Sequence, residues 1–160
     1  MAESFSVSRK SSTKSLSRCG IDDDQSASSV KVLVVDDYGP FRRFVCSMLK
    51  RMPALQIVGE VADGLEAVRM AAEVQPDLIL LDVGLPGVNG IEAARRIREL
   101  APDSQIIFLS LETAADVVEE ALNLGALCYI AKEHIGSKLL PAVEAVILDK
   151  VLLNTRTGVA

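Results

Sequence analysis

Five short apolar runs, each followed by a segment of helical period, constrain this chain more than any other feature. Val30-Lys31-Val32-Leu33-Val34-Val35, Leu55-Gln56-Ile57-Val58-Gly59, Leu78-Ile79-Leu80-Leu81, Gln105-Ile106-Ile107-Phe108-Leu109 and Leu127-Cys128-Tyr129-Ile130 have the length and β-branched content of strands. Several are apolar nearly throughout, as expected of strands covered on both faces. Between them lie helical stripes. Phe41, Phe44, Val45, Met48 and Leu49 are spaced i, i+3, i+4, i+7, i+8, with Pro40 at the start. Leu65 to Val74 forms a second helix, and Ile91, Ala94, Ile97 and Leu100 mark a third. Val117, Val118, Ala121, Leu122 and Leu124 mark a fourth, closed by Gly125 in a C-capping position. Leu139, Leu140, Val143, Val146 and Ile147 mark a fifth. Strict strand–helix alternation implies an α/β fold, a parallel sheet with helices on both faces.

Outside this block the composition changes. Residues 1–29 are Ser-rich, carry Arg9, Lys10, Lys14 and Arg18, end near Asp22-Asp23-Asp24 and show no apolar period. That composition predicts a disordered tail. One ordered domain is expected over 30–149, and 150–160 as a C-terminal tail or the start of a linker. Apolar residues make up 49% of the chain and the net charge is −5, so no general attraction to nucleic acid or anionic membrane is expected. Cys19, Cys46, Cys128 and the single His134 have no zinc-ligand spacing. No apolar run reaches bilayer length and no secretory h-region is visible, which predicts a cytoplasmic protein.

In a doubly wound sheet the functional crevice lies at the carboxyl ends of the strands. There the sequence places Asp36 and Asp37 after the first strand, Asp82 after the third, Ser110 after the fourth and Lys132 after the fifth. Three close carboxylates repel one another and call for a cation at neutral pH. An all-oxygen donor set selects a hard ion, Mg²⁺ rather than zinc. With Lys132 as a second positive group and Ser110 as a hydrogen-bond donor, the set suits a phosphoryl group, with a carboxylate as nucleophile.

Val32-Leu33-Val34-Val35-Asp36-Asp37, then Pro76-Asp77-Leu78-Ile79-Leu80-Leu81-Asp82-Val83-Gly84-Leu85-Pro86-Gly87-Val88-Asn89-Gly90, then Ser110, then Gly125-Ala126 leading to Tyr129 and Lys132, resemble the bacterial response-regulator receivers. Through Gly59-Glu60-Val61-Ala62-Asp63-Gly64 and the Leu139–Ile147 helix, the resemblance is strongest to receivers of LuxR-type regulators. It implies a flavodoxin-like (βα)5 fold with strand order 2-1-3-4-5. It implies Asp82 as phosphoacceptor, and Mg²⁺ held by Asp37 directly, Asp36 through water, Asp82 and the Gly84 carbonyl. It implies Lys132 on the phosphate, and Ser110 and Tyr129 as switch residues. The implied partners are a sensor histidine kinase or phosphotransfer protein, an output protein of unknown kind, and a second copy through the fourth helix, fifth strand and fifth helix. On this reading the protein catalyses only its own phosphorylation and dephosphorylation.

Two other classes stand beside this reading. One is an interaction module that works without phosphorylation, for which the acidic set and Lys132 would be superfluous. The other is a small enzyme on the same architecture. The first strand is followed by Asp36-Asp37 rather than a Gly-rich loop, and no second Asp lies two residues after Asp82. The chain stops at Ala160, leaving no room for a helix-turn-helix domain, so a stand-alone receiver or a truncated regulator is expected and direct DNA binding is not. Glu133 after Lys132 replaces the proline common in the family, and Leu111 is bulkier than the usual residue after Ser110. Glu66, Glu92, Arg95, Arg96 and Arg98 read as solvated helix faces, and His134 as a surface residue.

Overall fold

The computed structural model describes residues 29–159, with side chains through Arg156. Apart from Ser29, the tail expected over 1–29 lies outside the described residues. The elements alternate as the apolar pattern requires: β1 (Val30–Val35), α1 (Gly39–Leu49), β2 (Leu55–Val61), α2 (Gly64–Val74), β3 (Leu78–Asp82), α3 (Gly90–Leu100), β4 (Gln105–Ser110), α4 (Ala115–Asn123), β5 (Cys128–Ala131), a 3₁₀ turn (Lys132–His134) and α5 (Ile135–Val159). The strands form one parallel sheet in the order β2-β1-β3-β4-β5. The order reverses between β1 and β3, so their carboxyl ends flank the crevice where such folds bind ligands.

Two apolar layers hold the sheet between helices. Val32 and Val34 of β1, Leu78 and Leu80 of β3 and Ile107 and Leu109 of β4 pack against Val45, Met48 and Leu49 of α1 and Leu139, Val143 and Val146 of α5. The alternate residues Leu33, Val35, Ile79, Leu81, Ile106 and Phe108 pack against α2, α3 and α4 through Ala67, Ala71, Ala94, Ile97 and Ala121. The period-two pleat thus divides each strand between the layers. Each fully buried Val, Leu or Ile contributes about 1.5–3 kcal/mol relative to exposure.

Local signals set the boundaries. The Asp63 and Asn89 side chains accept the N–H groups of Glu66 (2.9 Å) and Glu92 (3.0 Å), capping α2 and α3. Gly125, at φ +88°, ends α4 as its position predicts. Gln75 closes α2 at φ 52°, and its side-chain amide donates to the Ala72 (2.9 Å) and Leu100 (3.1 Å) carbonyls.

Four expectations need correction. Arg98 is not on a solvated face: its guanidinium donates to the carbonyls of Leu124 (2.9 Å), Ser104 (2.8 Å) and Gly125 (2.6 Å), tying α3 to the end of α4. Burial lowers its pKa. Phe44 is exposed on the flank of α1, because the buried stripe runs through Phe41, Val45, Met48 and Leu49. Leu122 is likewise exposed, and Ala121 is the buried residue of α4. Finally, the 150–159 segment continues α5 without a break. It contains no proline, and Lys150 anchors it by donating to Asp77 Oδ2 (2.9 Å) and the Ser29 carbonyl (2.9 Å).

Gly90, at the start of α3, packs against the last residue of β3. A Cβ there would lie 2.1 Å from the Asp82 carbonyl oxygen and 2.7 Å from Val83 Cα. Gly90→Ala is therefore expected to destabilise the fold by about 3 kcal/mol, as overpacking against backbone does. Urea unfolding measures this, and a loss within error of zero would contradict the packing described.

Candidate functional site

The carboxyl ends of β1, β3, β4 and β5 bring Asp37, Asp82, Ser110 and Lys132 to the lining of one cleft of about 650 Å³, with Asp36 buried beside it against Lys132. Four polar or charged side chains are buried among the described residues: Asp36, Asp82, Ser104 and Ser110. Ser104 satisfies itself at the opposite end of the sheet by donating to the Pro76 carbonyl. The other three are at the cleft. Burial of polar groups is costly and needs compensation, so this concentration marks a site rather than a packing accident.

Asp36 is fixed on every side. Its N–H donates to the Val61 carbonyl (3.0 Å), extending the β1–β2 ladder. Its Oδ1 accepts the Tyr38 N–H (2.8 Å), and its carbonyl accepts Arg42 Nη1 (2.6 Å). Its Oδ2 lies 2.7 Å from Lys132 Nζ, a close ion pair whose direction is poor for a hydrogen bond. Asp37, the next residue, is exposed to the cleft. Asp82 ends β3, accepts the Gly84 N–H on Oδ1 (3.1 Å) and accepts Lys132 Nζ on Oδ2 (3.3 Å). Burial raises the pKa of Asp82; the Gly84 N–H and Lys132 pull it down, and Asp36 pushes it up again.

Carboxylate oxygens of Asp36, Asp37 and Asp82 all lie within 4.8 Å of one another. Three carboxylates face one ammonium, so the cleft is short of positive charge. The donors are all oxygen, and their spacing fits a small hard divalent cation.

Ser110 ends β4. Its Oγ accepts the Glu112 N–H (3.0 Å), holding it at the turn beside the cleft. The half-buried Tyr129 ring packs on Phe108, with centroids 6.0 Å apart, and its hydroxyl donates to the Glu112 carbonyl (2.6 Å). Burial raises the Tyr129 pKa, and the nearby Ser110 hydroxyl offsets part of that rise. Glu112 therefore joins both residues expected to switch, through its N–H and its carbonyl. Arg42, Phe41, whose ring centroid lies 4.5 Å from Lys132 Nζ, and the Glu112 backbone give no sign in the sequence of lying at the cleft. Arg42 and Phe41 lie within a helix whose apolar stripe hides any second role, and a backbone group leaves no sequence signal.

A family model for the response regulator receiver domain matches residues 32–144. The chain belongs to the response-regulator receiver family. LiaR, a transcriptional regulatory protein of Bacillus subtilis (strain 168), is 34% identical over 116 residues, covering 72% of this chain and 55% of LiaR. Among solved receivers and regulators, a LuxR-family two-component response regulator from Aurantimonas superposes with TM-score 0.71 at 31% identity, covering 76% of this chain and 87% of that one. A chain in the CheX-CheY-BeF3-Mg complex of Borrelia burgdorferi superposes with TM-score 0.66 at 28% identity, covering 73% and 88%. This receiver spans between 31% and 60% of the length of the first four curated relatives it matches. No helix among its described residues is long and apolar enough to cross a membrane.

Because burial makes ionisation of Asp82 costly in this cleft, Asp82→Asn is expected to stabilise the metal-free receiver at neutral pH by about 1 kcal/mol. A folded-state pKa raised above the unfolded value means that the penalty is present when the pH is above the folded pKa. It fades as pH falls through that value toward the unfolded one. The difference in unfolding midpoint between variant and wild type should therefore shrink on acidification. A difference that stays constant, or an Asn variant less stable than wild type at neutral pH, would contradict the assignment.

Proposed function

We propose that this receiver accepts a phosphoryl group on Asp82 from a phosphohistidine of a sensor kinase or phosphotransfer protein. The observation that supports this most is the placement of Asp82: buried, in contact with Lys132, and within one oxygen cluster with Asp36 and Asp37. A carboxylate oxygen of Asp82 attacks phosphorus, the P–N bond of the donor breaks, and the imidazole leaves with its electron pair and takes up a proton. Asp36, Asp37, Asp82 and the Gly84 carbonyl would hold Mg²⁺. When bound, the ion neutralises the charge of the transferring phosphoryl oxygens. Lys132 pairs with a phosphoryl oxygen while keeping its contact with Asp36, whose position is fixed by Arg42 and the Tyr38 N–H.

Once phosphorylated, Asp82 offers an oxygen to Ser110. Moving the Ser110 hydroxyl toward it gives up the Glu112 N–H, and Tyr129, bonded to the carbonyl of the same residue, follows inward. The β4–α4 connection and the α4–β5–α5 face then change together, a two-state element biased by a local charge event. That face is the proposed surface for an output protein or a second copy; direct DNA contact by the receiver is not proposed. Catalysis extends only to the receiver's own phosphorylation and dephosphorylation.

Intact-protein mass after incubation with acetyl phosphate tests the reading. A Mg²⁺-dependent, base-labile gain in wild type that is absent in Asp82→Asn is expected. No gain under conditions that modify an established receiver would overturn it in favour of a phosphorylation-independent interaction module. Leu111, exposed at the rim of the cleft, is expected to slow attack of water on the acyl phosphate. Leu111→Ala should shorten its half-life by about two- to ten-fold, the range of roughly a 0.4–1.4 kcal/mol barrier change. An unchanged half-life would remove that role.

A further inference from the structure

Lys132 carries three N–H donors on one ammonium. Asp36 Oδ2 lies at 2.7 Å and Asp82 Oδ2 at 3.3 Å, and the Phe41 ring centroid lies 4.5 Å from the same nitrogen. The Lys132 side chain is only 11% exposed, so water has little access to the ammonium. The ring itself is held in place. Phe41 occupies the first turn of α1, which opens immediately after Asp36-Asp37-Tyr38, with Pro40 at its start and the Arg42 N–H bonded to the Tyr38 carbonyl (3.0 Å). Its other neighbours are the α1–α5 apolar layer and Phe44, whose ring centroid is 6.4 Å away.

We infer that Phe41 is a positioning residue for Lys132, its π face serving as the third partner that keeps the ammonium over the Asp36–Asp82 pair. This rests on the phosphoacceptor reading of Asp82. An aromatic face carries negative charge density and attracts a cation within about 6 Å of its centroid. That attraction has little directional demand compared with a hydrogen bond. When Asp82 becomes an acyl phosphate, the ammonium must leave Asp82 Oδ2 for a phosphoryl oxygen. Contact with the ring face survives such a shift, whereas a third oriented acceptor would resist it. Two carboxylates alone would fix the ammonium in its resting position, and among the described residues no second side-chain cation is placed on Asp82. A leucine at this position would fill the apolar space but present no negative face.

The test is the rate at which the full chain takes a phosphoryl group from phosphoramidate at saturating Mg²⁺. A small donor avoids any effect of α1 on docking a partner protein. Four proteins are compared: wild type, Phe41→Leu, Phe41→Tyr, and the chain with a trifluorinated phenylalanine at position 41. The last keeps the ring's shape while removing most of its negative face. The leucine and trifluorinated proteins should react about three- to ten-fold more slowly and the tyrosine protein within about two-fold of wild type, the span expected of one partly desolvated cation–π contact. The Lys132 side-chain protons should lose their ring-current shift in Phe41→Leu alone, a readout independent of turnover. Equal rates in all four proteins would overturn the inference. So would a trifluorinated protein at the wild-type rate with Phe41→Leu slow, which assigns Phe41 to packing. A wild type that is phosphorylated while the variants match it refutes only the role of Phe41; a wild type that takes no phosphoryl group refutes the Asp82 reading, and this inference with it.

Discussion

One ammonium and three carboxylates share the cleft, and that imbalance governs how the rest of the structure acts there. Lys132 spans Asp36 and Asp82 at 2.7 and 3.3 Å, while Asp37 faces the opening. Buried ion pairs of this kind seldom add stability, because desolvation consumes most of the attraction. Their retention makes physical sense when the missing charge is supplied by a bound ligand. A divalent cation would correct the balance, and on the proposed reading a phosphoryl group on Asp82 would then find positive charge on two sides.

The fold supplies the rigidity that this arrangement needs. Reversal of strand order between β1 and β3 puts Asp36-Asp37 beside Asp82, and β4 and β5 add Ser110 and Lys132 from the next two strand ends. The central strands are clamped by an apolar layer on either face, so their ends have little freedom to relax away from one another. Packing loosens in the β4–α4 connection. Leu111 through Asp116 are exposed there and in the first turn of α4, and Ser110 and Tyr129 bond to the Glu112 N–H and carbonyl within it. A stiff platform with one loosely packed exit is the geometry that the proposed covalent switch at Asp82 would need.

The clustering of the candidate residues was legible in the sequence because they sit at fixed offsets from apolar runs. Val32 to Val35 end at Asp36, and Leu78 to Leu81 end at Asp82, so the period-two pattern and the strand-end rule together locate the cleft. Groups whose roles depend on tertiary neighbours were not legible. Arg98 has the spacing of a solvated helix residue, and only the approach of the α4 terminus converts it into a clasp on three carbonyls. Phe44 fits the helical stripe as well as Phe41 does, yet the angle at which α1 meets the sheet packs one against the core and exposes the other. The continuation of α5 past Lys150 is anchored by a bond to Asp77, which is 73 residues away in sequence. Periodicity records which face is apolar, not which group lies opposite it.

A cleft that recognises a phosphoryl group on Asp82, as proposed, should pass that event to Ser110 and Tyr129. Titrating Mg²⁺ and beryllium fluoride into isotope-labelled protein, followed by amide and side-chain NMR, addresses it most directly. The two together, but not Mg²⁺ alone, should shift Ser110, Glu112, Tyr129 and the α4–β5–α5 face, and Asp82→Asn should abolish the response. Shifts confined to Asp36, Asp37 and Asp82, with Ser110 and Tyr129 unmoved, would contradict the coupling; the same shifts in Asp82→Asn would contradict the site.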